Sequence, residues 1–311
     1  MHLGNEYHIP VLYNETIDML VHKKNGKYID CTLGGGTHSK GILDELDENG
    51  ILISIDQDED AINFCKEKLK NYEKNWKVFK ENFENIDIVA YMSGYEKFDG
   101  ILMDIGVSSR QLDNPERGFS YRFDSKLDMR MNKDSNISAH NVVNEYDEEK
   151  LANIIYKYGE ERYSKRIARA ICEYRTNKKI ETTFELNEII KKSYPTKSEK
   201  HPSKRTFQAI RIEVNRELEI LEKAIEKSVK LLNSGGRLCI ITFHSLEDRI
   251  VKNKFKELAK ACKCAPEIPI CVCGGKQEYK ILTKKPIVPS KEELDFNNRS
   301  HSSKLRVLEK I

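Results

Sequence analysis

Three short stretches carry residue types and spacings able to do chemistry: Asp30-Cys31-Thr32-Leu33-Gly34-Gly35-Gly36-Thr37-His38, Asp56, and Asp104-Ile105-Gly106-Val107-Ser108-Ser109. The first joins a short apolar run to a helical pattern. Glycines in such a turn let the backbone approach a ligand closely, and free amides at the start of the following helix face that ligand. Asp56 ends the next apolar run, where a carboxylate can accept hydrogen bonds from both hydroxyls of an adenosine ribose. A dinucleotide fingerprint would need a third glycine where Ser39 stands, so that reading fails. S-adenosylmethionine has no pyrophosphate to cradle, and a glycine-rich loop opened by Asp30 suits it better. Asp30 reads equally as a strand-end residue that holds loop amides.

Asp104 ends a further apolar run, Phe98 to Ile105. An exocyclic amine conjugated to a base is a weak nucleophile because its lone pair is delocalised. A carboxylate that accepts the amine hydrogens turns the lone pair toward an electrophilic methyl group, so the contribution is positioning and electrostatics. An acid followed by a tight turn at this place resembles the Asp-Pro-Pro-Tyr signature of amino methyltransferases. The alternative for Asp104 is a strand-end cap. After a fifth apolar run come His244, Ser245, Glu247 and Asp248. His244 is a second catalytic candidate, lining an acceptor pocket or relaying a proton. Ser245, with Asp248 three residues on, reads as the cap of the next helix.

These residues need a scaffold that brings strand ends together. Apolar runs at 28–32, 51–56, 76–79 and 98–105 alternate with helical patterns at 38–46 and 58–69, which predicts right-handed crossovers and a mostly parallel sheet. Between 110 and 204 no apolar strand is evident, and helical patterns at 151–158 and 162–174 predict a mostly helical insertion for substrate recognition. Phe207, Ile210, Val214, Leu218, Leu221, Ile225, Val229 and Leu232 recur at spacings of three and four, predicting one long helix that ends at Gly235-Gly236. A strand at 237–243 and a closing pair at 279–283 and 304–308 complete the sheet. The expected fold is α/β, a Rossmann-like class I methyltransferase core formed by 1–109 and 205–311, with 110–204 inserted and a Cys-rich segment at 258–278.

The net charge of +3 conceals an asymmetry. Residues 151–216 hold 16 Lys or Arg against 8 Asp or Glu, which is +8, leaving −5 for the rest. A basic segment on a mildly acidic body predicts a polyanion-binding surface; solvated helix faces are the alternative. Arg162, Lys165, Arg166, Arg169, Arg205 and Arg211 are its RNA-binding candidates. Phe119, Tyr121 and Phe123 would either stack on bases or anchor the insertion. Met1–Pro10 lacks a basic run followed by an apolar stretch, and no window approaches a membrane span, so a cytoplasmic protein is expected.

Many ordered blocks resemble the bacterial 16S rRNA (cytosine-N4) methyltransferase family. They include His8-Ile9-Pro10-Val11-Leu12, the loop from Asp30 to Ser39, Gly100 to Ser109, Gln111-Leu112-Asp113 and Arg117-Gly118-Phe119-Ser120. Leu127 to Met131, Tyr158 to Arg162, Lys165 to Ala168, Arg205 to Ala209 and Phe243 to Arg249 follow in order. The resemblance implies methylation of N4 of a P-site cytidine in 16S rRNA of the small ribosomal subunit; no obligate protein partner is evident in the sequence. It implies S-adenosylmethionine contacts around Gly34 and at Gly36, Thr37, His38, Asp56, Phe83, Asp104 and Gln111. Thr37 departs from the family's loop, which usually has a glycine before the histidine; the expected contact there is main-chain. Rival readings are a methyltransferase for DNA or protein, and a non-catalytic, cofactor-binding ribosome-assembly factor.

Of eight cysteines, Cys31, Cys65, Cys172 and Cys239 lie singly in apolar segments and read as reduced core residues. Cys262, Cys264, Cys271 and Cys273 form C-x-C…C-x-C, a candidate structural zinc site. Free thiols are the alternative.

Overall fold

The computed structural model describes residues 10–195, 201–262, 264 and 274–311. The chain forms two compact units, one of 1–106 with 218–311 and one of 107–217.

The first unit is built on seven strands: β1 (Lys27–Asp30), β2 (Ile51–Asp56), β3 (Trp76–Lys80), β4 (Phe98–Asp104), β5 (Leu232–Thr242), β6 (Tyr279–Ile281) and β7 (Lys304–Lys310). Their order is β3-β2-β1-β4-β5-β7-β6, and only β7 runs against its neighbours. The first three strands progress outward from β1, and the fourth begins again on its other side. The order therefore reverses between β1 and β4, and the crevice outside the carboxyl ends of those two strands is where open α/β sheets bind ligands.

The strands read as continuous apolar runs because both faces of the sheet are covered. Ile29, Ile53, Ile101 and Met103 face helices α4 (Ile86–Ser93), α11 (Glu217–Leu231) and α12 (Ser245–Leu258). The alternate residues Tyr28, Leu52 and Leu102 face α1 (Tyr13–Leu20), α2 (Thr37–Glu45) and α3 (Glu59–Lys68). A short helix, α13 (Lys291–Phe296), precedes β7.

The second unit is helical, with α5 (Ser109–Asp113), α6 (Ala139–Glu145), α7 (Glu148–Gly159), α8 (Ser164–Arg175), α9 (Thr183–Lys192) and α10 (Ser203–Asn215). Val142, Leu151, Ile155, Ile167, Ile171, Leu186, Ile190, Phe207 and Ile210 form its own core. Capping boxes start two of its helices, Ser138 with Asn141 and Thr182 with Glu185.

Three expectations change. The single helix expected from Phe207 to Leu232 is two, because Arg216 takes a left-handed conformation (φ 50°) and caps α10. As a result α10 belongs to the second unit, whose border lies at Glu217 rather than at 204. Gly235-Gly236 do not end a helix but lie within β5, where the register to β4 shifts between Phe98–Leu232 and Gly100–Arg237. Finally, the cap of α12 is His244 and not Ser245. Its ring accepts from the Glu247 amide, and the Glu247 carboxylate accepts from the amides of Phe243 (2.8 Å) and His244 (3.2 Å). Asp248 instead pairs with Arg306 (2.6 Å) and Lys304 (3.1 Å) on β7.

Candidate active site

Parallel pairing of β1 with β2 and β4 brings Asp30, Asp56 and Asp104 to one edge of the sheet. Each ends a strand whose apolar residues fix its register. The loop after β1 turns at two residues with positive φ, Gly34 (48°) and Gly36 (70°), a region that L side chains rarely enter. A Cβ on Gly36 would also lie 2.7 Å from the Cys65 sulfur. Gly36 caps α2, so the first amides of that helix are left to face the crevice.

Asp56 binds this loop from the neighbouring strand. One carboxylate oxygen accepts the Gly34 amide and the other the Asp58 amide, both at 2.8 Å. Burial pushes its pKa up to about 6, although both amides act to lower it. Each oxygen keeps a lone pair for a further donor.

Asp30 is fully buried, and burial raises its pKa. It ends a chain of hydrogen bonds that crosses three strands. The Trp76 indole N–H donates to Ser54 (2.9 Å), the Ser54 and Ser39 hydroxyls share a hydrogen bond (2.9 Å), and Ser39 donates to Asp30 (2.6 Å). The other Asp30 oxygen accepts the Thr32 amide at 3.0 Å. Thr32 in turn accepts the Asp104 amide on its hydroxyl at 2.7 Å, tying the end of β4 to the loop after β1. Ser39, which excluded a dinucleotide in the sequence, thus holds the loop's first acid.

Asp104 differs from the other two. Its Oδ2 lies 3.4 Å from Nδ1 of the buried His38, whereas Oδ1 is buried and has no hydrogen-bond partner among the described residues. A buried carboxylate oxygen without a donor is costly, and such an atom marks a place where a ligand's N–H or O–H is expected.

Residues 5–311 match the MraW methylase family. The chain is 64% identical over 309 residues to ribosomal RNA small subunit methyltransferase H of Fusobacterium nucleatum, covering 99% of this chain and 98% of that protein. It is 61% identical over 306 residues to the enzyme of the same name from Clostridium botulinum (98% and 99% covered). For the one from Caldicellulosiruptor saccharolyticus the figure is 56% over 305 residues (98% and 99%). The chain belongs to the MraW methylase family.

Within this family member the expected site residues fall in different places. Gly34, Gly36, Thr37, His38, Asp56 and Asp104 lie at one edge of the first unit's sheet. Thr37 is the first residue of α2, and its hydroxyl is 3.4 Å from the Lys68 ammonium, which also donates to the Gly35 carbonyl (2.7 Å). Phe83 opens a short turn after β3 and packs half-buried on the core. Gln111 sits in the second unit, where its side chain accepts the Ser108 amide at 3.1 Å and its own amide donates to the Ser108 hydroxyl. His244 caps α12: its Nδ1 accepts the Glu247 amide (3.4 Å), while Nε2, 3.0 Å from the Glu247 carboxylate, is buried and makes no hydrogen bond among the described residues.

On the second unit Arg162, Lys165, Arg166, Arg169 and Arg205 are exposed. Arg169 is 3.6 Å from Glu148, and Arg205 donates to the Glu160 carbonyl. Arg211 is a correction: it is half-buried in a two-pronged pair with Glu217 (2.8 Å at each prong), which makes it a structural cation. Phe119 is buried, and Tyr121 stacks on His201 and meets Phe207 edge-on, so both anchor the insertion; Phe123 stays partly exposed. Cys31, Cys65 and Cys239 are buried as expected, while Cys172 is half-buried. Cys262, after the end of α12, is exposed and Cys264 is half-buried, while Cys271 and Cys273 fall outside the described residues. No described helix is long and apolar enough to cross a membrane.

Proposed function

We propose that this chain transfers the methyl group of S-adenosylmethionine to the N4 amine of a P-site cytidine in 16S rRNA of the small ribosomal subunit. The observation that carries the mechanism is the buried, unpartnered Oδ1 of Asp104 at the end of β4. Family membership narrows the chemistry to methylation.

The residues present fit the cofactor. Asp56 offers lone pairs to two ribose hydroxyls, and the glycine loop and the amides of Gly36, Thr37 and His38 offer close main-chain approach to its amino-acid part. Phe83, half-buried after β3, would add an apolar contact to the cofactor. When bound, the cofactor supplies a methyl group made electrophilic by its sulfonium. Asp104 accepts a hydrogen from the N4 amine and so turns the nitrogen lone pair out of conjugation. Its negative charge also stabilises the positive charge that builds on nitrogen as the new N–C bond forms and the methyl–sulfur bond breaks. A cytidine reaches such a site only unpaired or flipped, and Arg162, Lys165, Arg166, Arg169 and Arg205 would grip phosphates around it. An acid with one oxygen beside His38 and the other left open suits amine methylation better than a purely non-catalytic binding role.

Incubating purified protein and S-adenosylmethionine with small subunits from a strain lacking the modification, then mapping the rRNA by mass spectrometry, tests this reading. One methyl group on a single P-site cytidine, absent with Asp104→Ala, is expected. Methylation at another base, or undiminished incorporation by the variant, would refute it.

A further inference from the structure

His38 lies between two acceptors. Its Nε2 is 3.2 Å from the Val11 carbonyl, and its Nδ1 is 3.4 Å from Asp104 Oδ2. A carbonyl oxygen only accepts, so the Nε2 contact requires that Nε2 carry hydrogen. A neutral ring of that tautomer would then point its Nδ1 lone pair at a carboxylate, with the ring buried and the carboxylate largely shielded. Two facing acceptors repel unless a proton lies between them.

The surroundings favour placing that proton on the ring. From β1 the buried Asp30 contributes negative charge, and from α13 Glu293, which accepts the Leu12 amide at 3.1 Å, is a further acid within electrostatic reach of His38. From α1 the Tyr13 ring stacks on the imidazole at 6.0 Å between centroids. Burial acts to depress the His38 pKa, but the hydrogen bond and charge of Asp104 outweigh it, and the net shift is upward.

We infer that His38 is a positioning residue: as an imidazolium it shares one proton with Asp104, keeps that carboxylate ionised and occupies Oδ2, so that Oδ1 alone faces the amine. The inference rests on Asp104 being the amine acceptor for its catalytic consequence, but not for the protonation state itself. Two of the family's expected contacts are thus parts of one device. The His38 main chain starts the helix that faces the cofactor, and its side chain sets the acid that faces the substrate.

The test is nuclear magnetic resonance of the full chain labelled with 15N at histidine, with His38 assigned among the 8 histidines by His38→Gln. The expected result is that both His38 ring nitrogens remain protonated at pH values where exposed histidines are neutral. In Asp104→Asn, which keeps the side-chain shape, His38 should become the neutral Nε2–H form while the other histidines keep their shifts. A neutral His38 in the wild type, or identical titration in Asp104→Asn, would overturn the inference whatever the activity shows. Kinetics supply the second arm. His38→Leu should lower kcat by about 10²-fold with KM for S-adenosylmethionine changed only a few-fold, and His38→Gln, which retains a donor, should recover part of that loss. Equal kcat for the two variants would mean that the ring only packs. If His38 proves protonated yet Asp104→Asn still methylates rRNA at full rate, the pair exists and the assignment of Asp104 as amine acceptor is what fails.

Discussion

Strand β4 bears one aspartate near each end, and the two illustrate opposite uses of the same side chain. Asp99 stands where the strand enters the sheet. Its carboxylate accepts the Lys27 amide (2.9 Å), the Asn233 amide group (3.1 Å) and the Lys23 ammonium (3.3 Å). Burial would raise its pKa, yet these donors together hold it below the usual carboxylate range. Asp104, where the strand leaves, has His38 on one oxygen and nothing on the other. A fold gains from satisfying its buried acceptors, so one left open at the end of a strand beside the glycine loop is a candidate ligand contact. The entry end of the sheet is finished by the protein alone; at the exit end one carboxylate oxygen stays open, where the proposed function places the substrate amine.

Substitutions at the two ends should therefore separate stability from activity. The largest effect on turnover is expected from Asp104→Asn, with kcat reduced by about 10²–10³-fold and thermal unfolding almost unchanged, as followed by methyl incorporation beside calorimetry. Next is Asp56→Ala. Losing a charged acceptor for two hydroxyls should weaken S-adenosylhomocysteine binding by about 10–100-fold, on the order of 1.5–3 kcal/mol per hydrogen bond to a charged group at most, read by isothermal titration.

Asp56 also makes a pH prediction. Its folded pKa, about 6, lies above the ordinary 3.8, so the folded protein binds the extra proton between those values. Above about 6 the burial of its charge is a cost to stability, and that cost is relieved as the pH falls toward 3.8. In the proposed function, Asp56 holds the ribose hydroxyls in its ionised form. Affinity should therefore hold above about pH 6 and fall below it by up to about tenfold per unit, a dependence that Asp56→Asn would remove.

Asp99→Asn should do the reverse of Asp104→Asn, destabilising by about 1–3 kcal/mol with kcat of the folded fraction intact. The smallest effects belong to the basic surface. Lys165→Ala and Arg166→Ala should each weaken small-subunit binding modestly and reduce its salt slope by about one, whereas Arg211→Ala should cost stability through the unpaired Glu217 and leave the salt slope alone.

The contrast between the two ends was only half legible in the sequence. Asp30, Asp56 and Asp104 announce themselves because each closes an apolar run before a turn, and the parallel sheet follows from the alternation of those runs with helices. Asp99 looks like an interruption of such a run, since Lys23, Lys27 and Asn233 are remote in sequence. The hydrogen-bonding role of Ser39 and Ser54 leaves no trace in the sequence, because a chain from Trp76 to Asp30 depends on strand order and not on spacing. The break at Arg216 hid behind an apolar period that continues from Val214 to Leu218, and a non-glycine residue in the left-handed region leaves no compositional mark. His244 capping α12 was missed because serine is the commoner cap and stands directly beside it.

One measurement bears most directly on the claim that the open acceptor of Asp104 serves the reaction. It is the single-turnover rate of methyl transfer to small subunits at saturating S-adenosylmethionine, for wild type, Asp99→Asn and Asp104→Asn, each paired with its unfolding temperature. The expected pattern is a rate lost and a fold kept for Asp104→Asn, with a fold weakened and a rate kept for Asp99→Asn. A normal rate for Asp104→Asn, or parallel losses of rate and stability in both variants, would contradict it.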